Sequence, residues 1–296
     1  MKAAGVRLVT ADWVAERTGS DDFLLLDPRS PVRYLSGHIA SAVSVPWTSL
    51  WDGEGNLRPA EELADRLGAA GLDDRRAPVV YDGVDGRHGA MLAWILVYLG
   101  RSDAHLMDVF FETWQAEGRE VYYRRVEPVA RGFRWRRVDA VRASREEVLR
   151  DGALRIDFRG ADEFSGETDT EGRPGHIPGA RHLAWQELGG GNGRLLAPAE
   201  RLVGLLKARG IAEGGSAIAY CRSGPRAALG FLALRLAGRD VRLYDGSYAD
   251  WVRSGLPVET GRGGPAGRDG RPGGNQPGIG PGARRAWRRT KPNYFR

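Results

Sequence analysis

Residues 217–238, AIAYCRSGPRAALGFLALRLAG, pass from a short apolar run through a polar loop into a long apolar stretch. The run ending at Tyr220 has the length and composition of a buried strand. Pro225 suits the first turn of a helix, where its missing N–H costs little, and Gly238 suits the position just past a helix end. Cys221, the only cysteine of the chain, therefore falls at the carboxyl end of a strand, in a loop that enters a helix N-terminus. Backbone amides of Ser223, Gly224, Arg226 and Ala227 are expected to converge there on an anion. Gly224 would let the backbone turn and approach a ligand closely. A helix N-terminus flanked by Arg222 and Arg226 favours a thiolate, and the two arginines can also hold an oxyanion. A lone cysteine is ordinarily a small buried apolar residue. A polar Arg-Ser-Gly-Pro-Arg loop serves no such residue, so Cys221 reads as a nucleophile.

Working outward, the chain proves to be an internal repeat. Phe23–Trp47 runs FLLLDPRSPVRYLSGHIASAVSVPW, and Leu154–Trp185 runs LRIDFRGADEFSG, an insertion, then GHIPGARHLAW. Asp27 matches Asp157, Arg29 matches Arg159, and the Gly-His-Ile segments at 37–39 and 175–177 coincide. Val79-Val80-Tyr81 faces Ile218-Ala219-Tyr220, and FFETW at 110–114 answers SYADW at 247–251. His38 and His176, in matched segments, are expected to orient a turn rather than do chemistry. Leu24–Leu26, Val79–Tyr81 and Ala104–Met107 read as buried strands, with helices over Glu61–Ala70 and Met91–Leu99 between them. Apolar strands alternating with helices predict an α/β fold, each repeat a mainly parallel sheet with helices on both faces. In such sheets sites form beyond the carboxyl ends of the strands, where Cys221 lies. The expected division is a domain over 6–123, a polar Arg-rich linker over 124–137, a second domain over 138–260, and a Gly/Pro/Arg-rich basic tail over 261–296.

Composition sets the remaining bounds. The tail holds nine of the 44 Lys and Arg residues and one of the 38 Asp and Glu residues, which leaves 35 basic against 37 acidic elsewhere. The basic character belongs to the tail, whose composition predicts disorder; nucleic acid is not an expected partner. The longest apolar run, Met91–Leu99, falls far short of the ~20 residues that span a bilayer. The opening residues lack the apolar core of a secretory signal. With one cysteine there is no disulfide framework, and the five histidines show no metal-ligand spacing. A cytoplasmic protein without metal or organic cofactor and without membrane contact is expected.

The segments GHIPGA (175–180), YCRSGPRA (220–227) and YDGSYADW (244–251) together resemble the tandem-domain rhodanese-like sulfurtransferases over residues 6–259. The resemblance implies two α/β domains of which only the second is catalytic, its site facing the first. Asp82 stands where the first repeat would need a cysteine, so the first domain is expected to be non-catalytic. The implied reaction is attack of the Cys221 thiolate on the outer sulfur of thiosulfate, with sulfite leaving and a persulfide remaining. Cyanide or a thiol then accepts the sulfur, in two half-reactions.

The chain departs from that pattern in places. Ser223 replaces a lysine common in thiosulfate-using members and resembles the branch that uses 3-mercaptopyruvate. Thr48 stands where that branch often has an aspartate. Glu163 replaces an arginine commonly found before the aromatic residue corresponding to Phe164, which leaves Arg173 as a substitute substrate contact. The two loop arginines favour thiosulfate, with 3-mercaptopyruvate as the alternative donor. A reading of another class is a persulfide relay that turns over little with free donors. Cysteine-dependent phosphatases need Cys-x5-Arg around a tetrahedral anion; the Cys-x4-Arg interval here speaks against that chemistry.

Overall fold

The computed structural model describes residues 5–150, 152–211 and 215–261; the basic tail, apart from its first residue, lies outside them. In the first repeat, β1 (Val6–Val9), α1 (Ala11–Ala15), β2 (Phe23–Asp27), α2 (Pro31–Leu35), β3 (Val43–Ser44), α3 (Ala60–Ala69), β4 (Ala77–Val80), α4 (Arg87–Tyr98), β5 (Ala104–Met107) and α5 (Phe111–Ala116) follow in order. All strand pairings are parallel, in the order β1-β5-β4-β2-β3. The second repeat runs α6 (Arg145–Arg150), β6 (Leu154–Asp157), α7 (Ala161–Ser165), β7 (Arg181–His182), α8 (Ala199–Ala208), β8 (Ser216–Tyr220), α9 (Pro225–Leu236), β9 (Asp240–Leu243) and α10 (Ser247–Arg253). Its sheet is again parallel, in the order β7-β6-β8-β9. The counterpart of β1 is reduced here to a single parallel bridge between Arg142 and Leu243.

The fold class is the one the sequence predicts, and its cause is visible in the strands. Leu24, Leu25 and Leu26 are all buried, as are Val79 and Val80, because helices cover both faces of the sheet. The helix α4 begins at Arg87, four residues before the apolar run that announces it, since its first turn is polar (Arg87-His88-Gly89). Both α4 and α9 are apolar around nearly their whole circumference, with Gly89–Tyr98 and Ala227–Leu234 buried. A helix of that kind must be covered on all sides. Each lies against its own sheet and against the other helix, so the α4–α9 contact joins the two repeats.

Residues 124–137, expected to link the domains, form neither helix nor strand. They are pinned along the first repeat: the Arg131 amide donates to the Gly68 carbonyl (2.8 Å) and the Val138 amide just beyond donates to the Tyr98 carbonyl (2.8 Å). Phe133 and Trp135 pack on the core.

The same buried ion pair stands at the carboxyl ends of β2 and β6. Arg29 Nη2 donates to Asp27 Oδ2 (2.6 Å) and to the Gly37 carbonyl (2.8 Å). Arg159 Nη2 donates to Asp157 Oδ2 (2.7 Å) and to the Gly175 carbonyl (2.7 Å). Cation and aromatic ring are duplicated too, Arg29 over Phe111 at 4.0 Å and Arg159 over Tyr248 at 3.9 Å. The matched glycines are required: Gly175 has φ +117° and packs directly on the Glu259 carbonyl, where a Cβ would collide. The histidines that follow are fully buried. His38 stacks on Tyr34 with Nδ1 3.0 Å from its carbonyl, and His176 stacks on Phe164 with Nδ1 2.8 Å from its carbonyl. Both act as posts for a turn.

Candidate active site

The strand β8 ends at Tyr220, and its phenol reaches the Gly-His-Ile turn. Burial and the adjoining Asp157 carboxylate push the Tyr220 pKa well up, so the group stays a neutral phenol, and it accepts the Ile177 amide at 3.2 Å. Cys221 follows and is 1% exposed. Its amide donates to Ser247 Oγ (3.1 Å), which in turn donates to the Tyr244 carbonyl (2.8 Å). The Cys221 carbonyl accepts from the Tyr248 amide (3.0 Å), and the Arg222 carbonyl accepts from the Ala249 amide (3.0 Å). The start of α10 thus holds the loop by three hydrogen bonds and leaves the sulfur facing α9.

On that side the Gly224 amide donates to Cys221 Sγ at 3.2 Å. Gly224 reaches this orientation with φ +110° and ψ −54°, a combination that side chains exclude. Met91 of α4 packs over it, so the first repeat covers the loop from above. Ala227 is buried in the first turn of α9, and Ser223, two residues after Cys221, is half-buried.

The charges do not lie free. Arg226 meets Glu163 in a two-pronged pair, Nη1 on Oε2 at 2.5 Å and Nη2 on Oε1 at 2.9 Å. Arg222 Nε donates to Glu171. The sequence leaves both arginines open to an oxyanion; in the structure each holds a carboxylate. Burial opposes charge on Glu163, yet Arg226 and the Gly160 amide outweigh it and hold its pKa below the ordinary value. Arg226 in turn lies within the electrostatic reach of Cys221. Arg173, expected to substitute for the missing arginine, donates from Nη1 to the Leu256 carbonyl (2.8 Å), while its own carbonyl accepts from Tyr248 (2.8 Å). Its hydrogen bond goes to the chain that follows α10, a structural use the sequence did not suggest.

Three residues of the site carry little signal in the sequence. Ser247, buried and with φ +55°, was visible only as the point where SYADW departs from FFETW. Met91 lay inside an apolar run, and Glu171 lay in an insertion with no counterpart in the first repeat.

The equivalent turn of the first repeat is filled by its own side chain. Asp82 Oδ1 accepts from the Gly83 amide (2.8 Å), and Oδ2 accepts from the amides of His88 (3.0 Å) and Gly89 (2.8 Å). Burial pushes its pKa up to about 7, against the pull of the Gly89 and Gly83 amides. A cavity of about 300 Å³ lies beside it, lined by Arg29, Arg33, Trp47 and His88 among others.

Two parallel α/β domains, one with a cysteine-headed amide loop and one with that loop self-occupied, define a tandem protein with one thiol centre. The family model described as rhodanese-like domain matches residues 10–117 and 144–254. Thiosulfate sulfurtransferase of Corynebacterium glutamicum is 30% identical over 280 residues, covering 86% of this chain and 91% of that one. A Synechococcus elongatus protein provisionally named a thiosulfate sulfurtransferase is 31% identical over 277 residues, 87% of this chain and 86% of its own. Among solved structures, an anaerobic ergothioneine biosynthesis enzyme from Chlorobium limicola superposes with a TM-score of 0.76 at 21% identity, over 86% of this chain and 70% of that one. YnjE superposes with 0.75 at 23% identity, over 86% and 68%; these two likenesses speak to the fold alone. The chain belongs to the rhodanese family, as a tandem-domain sulfurtransferase. Among the described residues no helix is long and apolar enough to cross a membrane.

Proposed function

We propose that the chain moves a sulfane sulfur from thiosulfate to cyanide or a thiol through a persulfide on Cys221, and that the first domain takes no chemical part. The observation that carries this reading is the Gly224 amide on the buried Cys221 sulfur at the head of α9. The thiolate attacks the outer sulfur of thiosulfate, the S–S bond breaks, and its electron pair leaves with sulfite. The persulfide anion that remains carries the charge, and amides of the 223–227 loop stabilise it as they would an oxyanion. In the second half-reaction the acceptor bonds the outer sulfur, and Cys221 returns as thiolate. Arg222 and Arg226 bound the entrance, and Ser223 and Ala227 shape it. No metal or organic cofactor enters either step. The names of the 30–31% identical relatives support thiosulfate as donor. One observation favours 3-mercaptopyruvate as a second donor: both loop arginines are already paired, which disfavours a dianion more than a monoanion.

The test is mass spectrometry of the intact protein after exposure to each donor, together with thiocyanate release on adding cyanide. One added sulfur on Cys221, and thiocyanate that vanishes in Cys221→Ser, is the expected result. Thiocyanate formation that survives Cys221→Ser removes the reading.

A further inference from the structure

The four charged side chains around the loop cancel. Arg226 and Glu163 form a pair whose side chains are only 15% and 13% exposed, and Arg222 is held by Glu171, itself 15% exposed. Both acids come from the stretch after β6, Glu163 from α7 and Glu171 from the insertion that follows it. Glu163 is fixed from a second side, because its Oε2 accepts the Gly160 amide at 3.0 Å. It cannot swing away from Arg226 without uncapping α7. A dianion that approaches Cys221 therefore meets a carboxylate beside each guanidinium. Repulsion built against one class of ligand sets specificity as surely as attraction to another.

We propose that Glu163 and Glu171 are specificity-determining residues: by occupying Arg226 and Arg222 they make a dianionic donor compete with a carboxylate, and so tilt the site towards donors of lower charge. The proposal rests on the sulfur-transfer reading above. Its partners by chemistry are small sulfur donors bearing one negative charge or none, with thiosulfate admitted at weakened affinity. Neither glutamate touches the reacting sulfur; each acts through the arginine it holds.

The experiment uses the full chain with Glu163→Gln and Glu171→Gln, and compares thiosulfate, a dianion, with 3-mercaptopyruvate, a monoanion, cyanide being the acceptor. Glu163→Gln should raise kcat/KM for thiosulfate about tenfold, mainly through KM, because a nearby like charge is removed from a poorly screened site. Glu171→Gln should do the same more weakly, since Arg222 is 52% exposed. The gain with 3-mercaptopyruvate should be smaller in both, so the ratio between donors shifts towards the dianion. An unchanged or higher KM for thiosulfate, or equal gains with both donors, overturns the proposal. A purely structural role for the glutamates would not sort donors by charge. Should Glu163→Gln fail to fold, Glu171→Gln decides alone. Should the wild type turn over neither donor, the sulfur-transfer reading fails separately. Binding of sulfate to Cys221→Ser, with and without Glu171→Gln, then decides by calorimetry: tighter binding in the double variant upholds the charge competition, and equal binding sinks it.

Discussion

Replacing Gly224 with alanine separates the backbone geometry of the loop from its chemistry. An added Cβ would meet Met91 Cε at 3.4 Å and the Asp245 carbonyl at 3.5 Å, both ordinary contacts, so space is not the obstacle. The backbone is: φ +110° with ψ −54° is open to glycine alone. Holding alanine there costs about 1–3 kcal/mol. The loss of chain freedom in the unfolded state returns about 0.4–1 kcal/mol. The net of roughly 1–2 kcal/mol corresponds to a melting temperature lower by about 2–8 °C for a protein of this size. The chain can relieve the strain by rotating the 223–224 peptide, which turns the amide away from Cys221 Sγ. Loss of one such donor costs on the order of 10²-fold in rate. Persulfide formation on mixing with thiosulfate should therefore slow by about two orders of magnitude, while melting falls only modestly. A variant that melts as expected yet forms persulfide at the wild-type rate would refute the role given to this amide.

Two further outcomes follow from the buried charges. Asp157 and Arg159 have side chains 0% and 1% exposed, so Asp157→Ala should strand a buried guanidinium at a cost of about 3–5 kcal/mol. Thermal unfolding should show this, and Asp27→Ala should reproduce it in the first repeat; a loss under about 1 kcal/mol in both would contradict the pairing. Asp82 and His88 give opposite pH dependences. Burial raises Asp82 to about 7 and lowers His88 to about 4. The stability that Asp82 contributes is complete below its unfolded value near 4 and is lost as pH rises to 7. That of His88 is complete above its unfolded value of 6.5 and is lost as pH falls to 4. Over pH 4–6.5 the two slopes oppose. Relative to wild type, Asp82→Asn should gain stability as pH rises through this window, and His88→Gln should gain as pH falls. Each slope is at most about 1.4 kcal/mol per pH unit; denaturant midpoints measured across the window decide, and parallel curves for all three proteins would rule it out.

The architecture was legible because the repeat supplies its own control. Strands such as Ala104–Met107 announce themselves through short apolar runs, and the helix behind Cys221 through an apolar run between Pro225 and Gly238, so the carboxyl ends of the expected strands agree with the structure to within a residue. The beginning of α4 was hidden, since a polar first turn carries no periodic signal. The site was legible only in its covalent neighbourhood. Cys221 and Gly224 lie within four residues of each other, whereas Arg226 meets Glu163 across 63 residues and Arg222 meets Glu171 across 51. No spacing rule reports such pairings. Charge counted along the loop therefore came to two free cations, and charge counted in space comes to none. The hydrogen bond of Arg173 to the Leu256 carbonyl spans 83 residues and lies equally beyond any spacing rule.

The two strand-to-helix turns, set side by side, say more than either alone. The helices α4 and α9 are each twelve residues long, so Arg87, His88 and Gly89 correspond to Pro225, Arg226 and Ala227. In the first repeat the amides of His88 and Gly89 converge on Asp82 Oδ2. That oxygen lies two bonds beyond Cβ. In the second repeat Cys221 Sγ lies one bond beyond Cβ and draws on the Gly224 amide. A sulfur bonded to Sγ lies two bonds beyond Cβ, as Asp82 Oδ2 does. The proposed persulfide would thus carry its outer sulfur and its negative charge to the place where the first repeat keeps a carboxylate oxygen, within reach of the amides of Arg226 and Ala227. The first domain is then a cradle filled by its own carboxyl side chain, and the second, on the proposed mechanism, is filled when sulfur is on board. The first turn carries one more residue between Asp82 and α4 than the second carries between Cys221 and α9, so the two turns differ in length as well as in the reach of the side chain at their head.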